Sequence, residues 1–188
     1  MIKGLVLGII LGVAGVAAWV YLYFATGHAP VAVTEVEMPF ERKFAKLGMH
    51  AYLDKLPHPE PQVPADEDNL LDGAKTYRSH CAVCHGLPDV APSAIALGMA
   101  PKPPQLFKGT GVTDDEPWET YWKVENGIRM TGMPGFKGRL TESEIWQVTQ
   151  LVKNADKIMP TVKAELAAPV IATPANATPK AGAPADKK

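Results

Sequence analysis

The chain has 188 residues, room for one modest domain and some appendages. Its formal net charge is −1, which gives no electrostatic footprint for nucleic acid or for an acidic substrate. Two cysteines exclude a disulfide framework and a four-cysteine metal site.

Residues 4–25 contain no charged side chain, a run of 22. A hydrocarbon core needs about 20 apolar residues, so this segment predicts a transmembrane anchor, assigned to residues 1–26. Lys3 precedes it and no basic residue follows closely, which places the N-terminus in the cytoplasm. Trp19, Tyr21 and Tyr23 gather at its far end, where interfacial aromatics belong. The competing reading is a cleaved signal peptide, whose apolar core is shorter, roughly 7 to 15 residues.

Residues 27–66 read as a spacer. Within it, residues 39–56 predict a short amphipathic helix, because Phe40, Phe44, Leu47 and Ala51 recur at spacings of four, three and four. Packing of that stripe on the following domain is the favoured expectation, and a position at the membrane surface is the alternative. Pro57 to Pro64 holds four prolines and predicts a stiff linker. His28, His50 and His58 are expected in solvent.

Residues 67–160 form the expected folded domain, mildly acidic with ten Lys/Arg against thirteen Asp/Glu over 66–160. A helix over Leu70–His80 presents Leu70, Leu71, Ala74 and Tyr77 on one side. Gly73 within it implies close approach by another element. Residues 86–113 are rich in Pro and Gly and predict loop. Asp114 or Asp115 is expected to cap a helix from about Glu116 to Asn126, which Gly127 ends. Residues 127–139, with four glycines and one proline, read as loop. Thr141 and Glu144 make a capping box for a last helix to about Ala155, with Ile145, Trp146, Thr149 and Val152 facing inward. No segment reads as a strand, so the fold class is all-α. Residues 161–188, dominated by Ala, Pro, Thr and Lys, are expected to be a disordered tail.

The most informative stretch is Cys81-Ala82-Val83-Cys84-His85. A Cys-x-x-Cys-His run reads as a site for covalent c-type haem. Both thiols form thioethers to the haem vinyl groups, and the adjacent imidazole becomes an axial iron ligand. A thioredoxin-like dithiol belongs in a βαβ pattern, which is missing. Half of a zinc site would need another Cys or His pair.

The order helix, Cys-x-x-Cys-His-Gly, long loop, helix, Gly-Met-Pro loop, final helix resembles a mono-haem class I cytochrome c. The resemblance covers residues 70–157. It rests on Gly73, Tyr77, the haem motif, Pro104-Gln105-Leu106, Thr131 to Phe136 and Thr141 to Trp146. It implies one covalent haem c on Cys81 and Cys84, with His85 as proximal and Met133 as distal ligand. It further implies that the Pro104 carbonyl accepts the His85 Nδ1 proton and that Leu106 lines the pocket. Gly73 and Trp146 resemble the small-to-aromatic contact where first and last helices cross. Met130 and Met99 are the rival distal ligands. Beyond the haem domain, the expected architecture adds the transmembrane helix and the disordered tail.

The function implied is single-electron transfer rather than enzymatic catalysis. The setting expected is the bacterial cytoplasmic membrane, single-pass, with the haem domain on the periplasmic side. Expected partners are membrane-bound or periplasmic redox proteins and the lipid bilayer, with no nucleic acid. A gas sensor or haem enzyme would need an open distal position. A third reading makes the chain an organising subunit of a larger respiratory complex.

Overall fold

The computed structural model describes residues 2–108 and 114–168. Among the described residues, eight helices run in the order α1 (Ile2–Ala25), α2 (Glu41–Leu53), α3 (Glu67–His80), α4 (Ala82–His85), α5 (Ala94–Leu97), α6 (Pro117–Asn126), α7 (Glu142–Lys153) and α8 (Pro160–Ala167). Among the described residues there is no strand beyond an isolated bridge, Lys137 to Leu140. The fold is all-α, as its sequence pattern predicts.

Helix α1 is 24 residues long and buries none of them. At 1.5 Å per residue it spans about 36 Å, sufficient to cross a bilayer. Among the described residues, it is the helix that is long and apolar enough to do so.

The frame of the domain is α3 crossed by α7. Both carry the apolar stripes expected of them, and Leu70, Ala74, Tyr77, Ile145, Trp146, Thr149 and Val152 are all buried. Helix α3 starts three residues earlier than expected, because the Asp66 carboxylate accepts from the Asn69 N–H at 3.0 Å and caps it. The capping box of α7 is present in both directions. Gly73 sits at the crossing. A Cβ there would stand 2.4 Å from the Gln147 carbonyl oxygen, so only glycine permits this approach. The nearest atoms to that position belong to the backbone of Gln147 and Val148. Trp146 stacks on Tyr121 of α6, with ring centroids 4.3 Å apart.

Helix α6 begins at Pro117, with Glu116 as an uncapped, extended N-cap. The expected cap from Asp114 or Asp115 is not formed. Proline at the first helical position sets the start and holds its predecessor extended. The Asp115 carboxylate goes to Lys123 Nζ instead, at 2.6 Å.

Three features depart further from the sequence pattern. First, residues 160–167 are helix α8, so the tail expected from 161 begins too early. Val162 and Leu166, four apart, are fully buried in the cluster with Leu70, Ala74 and Tyr77. Arg78 of α3 binds Glu165 at 2.5 Å and the Ala168 carbonyl at 2.8 Å. The remainder of that tail lies outside the described residues. Second, the loop over 86–113 contains the short helix α5, capped by Ser93 accepting from the Ala96 N–H; its last five residues also lie outside the description. Third, α2 does not pack through its expected stripe: Phe40 is 66 %, Phe44 67 % and Leu47 62 % exposed. Its C-terminal end docks instead. Leu53 is fully buried, and the Tyr52 ring meets Trp122 of α6 at 5.6 Å. The proline linker continues this contact. His58 is exposed, as expected, and its ring also stacks flat on Trp118 with centroids 4.0 Å apart. The Gln150 amide donates to the Val63 carbonyl at 2.9 Å.

Candidate haem site

The Cys81–His85 stretch closes one tight turn. The His85 N–H donates to the Cys81 carbonyl at 2.9 Å, and α4 ends at Gly86, whose φ of 74° suits glycine. The Tyr77 hydroxyl donates to the Gly86 carbonyl at 2.8 Å, tying this turn to the buried face of α3.

Residues 103–106 wrap the turn from outside. His85 Nδ1 lies 2.9 Å from the Pro104 carbonyl oxygen. A carbonyl only accepts, so the proton sits on Nδ1 and the lone pair on Nε2. The Leu106 N–H donates back to the His85 carbonyl at 3.1 Å, and the Gln105 amide donates to the Cys84 carbonyl at 3.0 Å. One tetrapeptide thereby holds the ring, its backbone and its neighbour. Burial lowers the His85 pKa from its ordinary value, partly opposed by the Pro104 bond, so the neutral imidazole is favoured. Burial, with a smaller contribution from the Cys84 thiol, pushes the Cys81 thiol up to about 12. Both cysteines are free thiols and half-buried.

Met133 stands on a different wall. It packs with Tyr121 against Val124, Phe136, Leu140 and Ile145, whereas Cys81 and Leu106 pack on the α3/α7/α8 cluster. Backbone crossing shapes its loop. A Cβ on Gly127 would meet the Gly135 nitrogen at 2.5 Å, and one on Gly135 would meet Asn126 at 2.7 Å. The Phe136 and Lys137 N–H groups then anchor on the carbonyls of Val124 and Glu125 at 3.0 and 2.9 Å. Thr131 Oγ1 accepts from the Met133 N–H at 3.1 Å and donates to the Ile128 carbonyl at 2.7 Å.

The rival methionines separate clearly. Met130 is 92 % exposed and left-handed in φ, pointing away from the core. Met99, after α5, brings its Cε to 2.0 Å of where a Gly132 Cβ would stand. The 86–113 loop thus touches the Met133 loop, a contact no local spacing could reveal. His80 is exposed and meets Phe136 edge-on at 5.8 Å.

The side chains present fit a haem. They supply a neutral imidazole with a directed Nε2, two thiols on the turn that carries it, and thioether sulfur from the loop before α7. An imidazole nitrogen, paired thiols and a thioether are donors that suit haem iron.

Residues 68–152 match the family model described as cytochrome c oxidase, cbb3-type, subunit III. With the all-helical fold and the Cys-x-x-Cys-His turn, this region, somewhat under half of the chain, is similar to a mono-haem cytochrome c domain. Among solved structures, the chain is similar to a chain of the Kuenenia stuttgartiensis reducing HAO-like protein complex Kustc0457/Kustc0458. The identity is 24 %, covering 56 % of this chain and 54 % of that one, with a TM-score of 0.44. The chain thus spans about half the length of that relative. No curated protein matches it.

Proposed function

We propose that the protein is a membrane-tethered cytochrome that carries single electrons between respiratory or periplasmic redox partners, through one haem c held covalently by Cys81 and Cys84. In this reading His85 is the proximal ligand and Met133 the distal one. The observation that carries it is the 2.9 Å contact of His85 Nδ1 with Pro104, which leaves Nε2 as the coordinating atom.

When bound, haem supplies a one-electron iron couple. The residues set its working conditions. Pro104 keeps the imidazole in one tautomer and raises its basicity. Met133 offers a soft thioether, which favours the reduced iron and raises the potential. Leu106 and the cluster around Val124 and Phe136 exclude water, which disfavours the more highly charged oxidised state. The folded loop of Met133 leaves little to rearrange when an electron arrives. Helix α1 confines the domain to the plane of the membrane and raises its effective concentration near membrane-bound partners. Lys3 on the N-terminal side supports a periplasmic haem domain.

The description of the matching family supports a second element: a place as an electron-supplying subunit of a membrane-bound respiratory oxidase. Stoichiometric co-purification of oxidase subunits with the full chain supports it, and isolation of the chain alone argues against it.

The first experiment is optical. In the full chain, purified in detergent, the ferric form is expected to show the weak far-red band of sulfur-to-iron charge transfer. The ferrous form is expected to ignore carbon monoxide. A prompt carbon monoxide shift without that band would make the distal position open and the sensor or enzyme reading correct. Mass spectrometry under denaturing conditions should find one haem on the chain; loss of haem on denaturation would remove the covalent assignment.

A further inference from the structure

Helix α2 has two faces with different fates. Met49 is half-buried and Leu53, one turn on, is fully buried. Phe40, Phe44, Leu47 and Ala51 occupy the opposite side, because Leu47 and Met49, like Ala51 and Leu53, are two residues and about 200° apart. All four are exposed. Phe40 and Phe44 meet edge-on at 6.3 Å, so the ridge is continuous. A helix whose inner side is already docked, yet which shows two phenylalanines and a leucine to the outside, has a second apolar surface to cover.

Charge and chain position say what covers it. Within α2, Arg42, Lys43 and Lys46 stand against the single carboxylate of Glu41; Arg42 pairs with Glu37 at 3.3 Å, and Lys43 flanks the exposed ridge, whereas the haem domain as a whole is mildly acidic. Bulky apolar side chains on one face with cations beside it are the pattern of a helix lying in a membrane interface. The bilayer is also at hand. Fourteen residues separate Ala25, the end of α1, from Phe40, a reach of at most about 50 Å fully extended. Turns shorten it: the His28 N–H returns to the Tyr23 carbonyl, and Glu35 accepts from the N–H groups of Val31 and Ala32 at 2.5 and 2.8 Å.

We infer that α2 lies on the bilayer, with Phe40, Phe44 and Leu47 among the acyl chains and Lys43, which flanks them, at lipid phosphates. This inference rests on the reading of α1 as a membrane anchor. Tyr52 and His58, seated on Trp122 and Trp118, then make α2 and the proline linker a rigid bracket. The haem domain is held at one fixed tilt to the membrane rather than swinging on a tether, and one side of α6 faces the lipid surface.

Nitroxide labels on the full holoprotein in phosphatidylcholine–phosphatidylglycerol nanodiscs test this. They are placed through Phe44→Cys, Ala51→Cys, Val13→Cys and Lys75→Cys, with the unsubstituted chain as background. The labels at 44 and 51 should lose collisions with a water-soluble nickel chelate and gain collisions with oxygen, relative to the label at 75. Equal nickel access at 44, 51 and 75, with the label at 13 protected, overturns the inference and leaves the anchor standing. Nickel access at 13 overturns the anchor itself. Spin–spin broadening at 44 would mean that a second copy of the chain, not lipid, covers the face.

Discussion

The two sides of the proposed haem site are held by different means. The His85 side is tied by polar contacts: one tetrapeptide, 103–106, makes a bond to the ring, one to the His85 carbonyl and one to the Cys84 carbonyl. The Met133 side is held by shape: two glycines let the backbone pass over itself, and the thioether leans on a small apolar cluster. Hydrogen bonds fix an atom's direction; backbone crossing fixes only where a loop can lie. The Met133 side should therefore be the one that yields under perturbation, while the His85 side keeps its ligand.

The comparison can be broken at four places, in falling order of effect. Cys84→Ala removes one of the two proposed tethers next to the ring. Covalent maturation should fall to a small fraction of wild type, read by haem staining after denaturing electrophoresis; full staining would refute the tether. Met133→Ala should keep the haem attached, abolish the far-red band, lower the potential and admit carbon monoxide. An unchanged potential would assign the distal sulfur elsewhere, with Met99 the residue to test next. Gly127→Ala places a Cβ 2.5 Å from the Gly135 nitrogen at a φ of +71°. Strain of this kind costs about 1–3 kcal/mol, so the far-red band should weaken and become sensitive to heat well before the haem is lost. Retention of wild-type thermal behaviour would show that the crossing is not what holds the loop. Gln105→Ala deletes one bond on the His85 side, worth about 1 kcal/mol. It should lower thermal stability slightly and leave the spectrum alone; loss of His85 ligation would mean that the tetrapeptide has less redundancy than its three bonds suggest.

A further substitution separates frame from site. Gly73→Ala drives a methyl group into the Gln147 carbonyl, and overpacking of this sort costs about 1–3 kcal/mol. Chemical denaturation should show that loss with no change in the ligand spectrum of the folded protein.

Much of this was legible in the chain before folding. The Cys81–His85 turn is contiguous, so five residues are enough to mark it as the candidate haem turn. The capping box of α7 and the charge-free run of α1 are likewise local: each depends on spacing within a few turns. Gly73 could be singled out because a glycine inside a helical stripe has a cost that only a close neighbour explains. What stayed hidden is non-local. Helix α8 buries only Val162 and Leu166, too few to form a stripe in an alanine- and proline-rich segment, and its place depends on Arg78, 87 residues before Glu165. The docking of His58 on Trp118 and of Met99 on Gly132 joins segments that carry no pattern in common.

Local pattern was enough for the helical class, the membrane-length helix, the candidate haem turn and the close approach at Gly73, because hydrophobic period, caps and motif spacing act over a few residues. Folding settled which face of α2 is covered, that Gly127 and Gly135 cross, that the chain past residue 160 closes the core, and which methionine is turned outward. Those outcomes depend on what each side chain meets after the chain has folded back on itself.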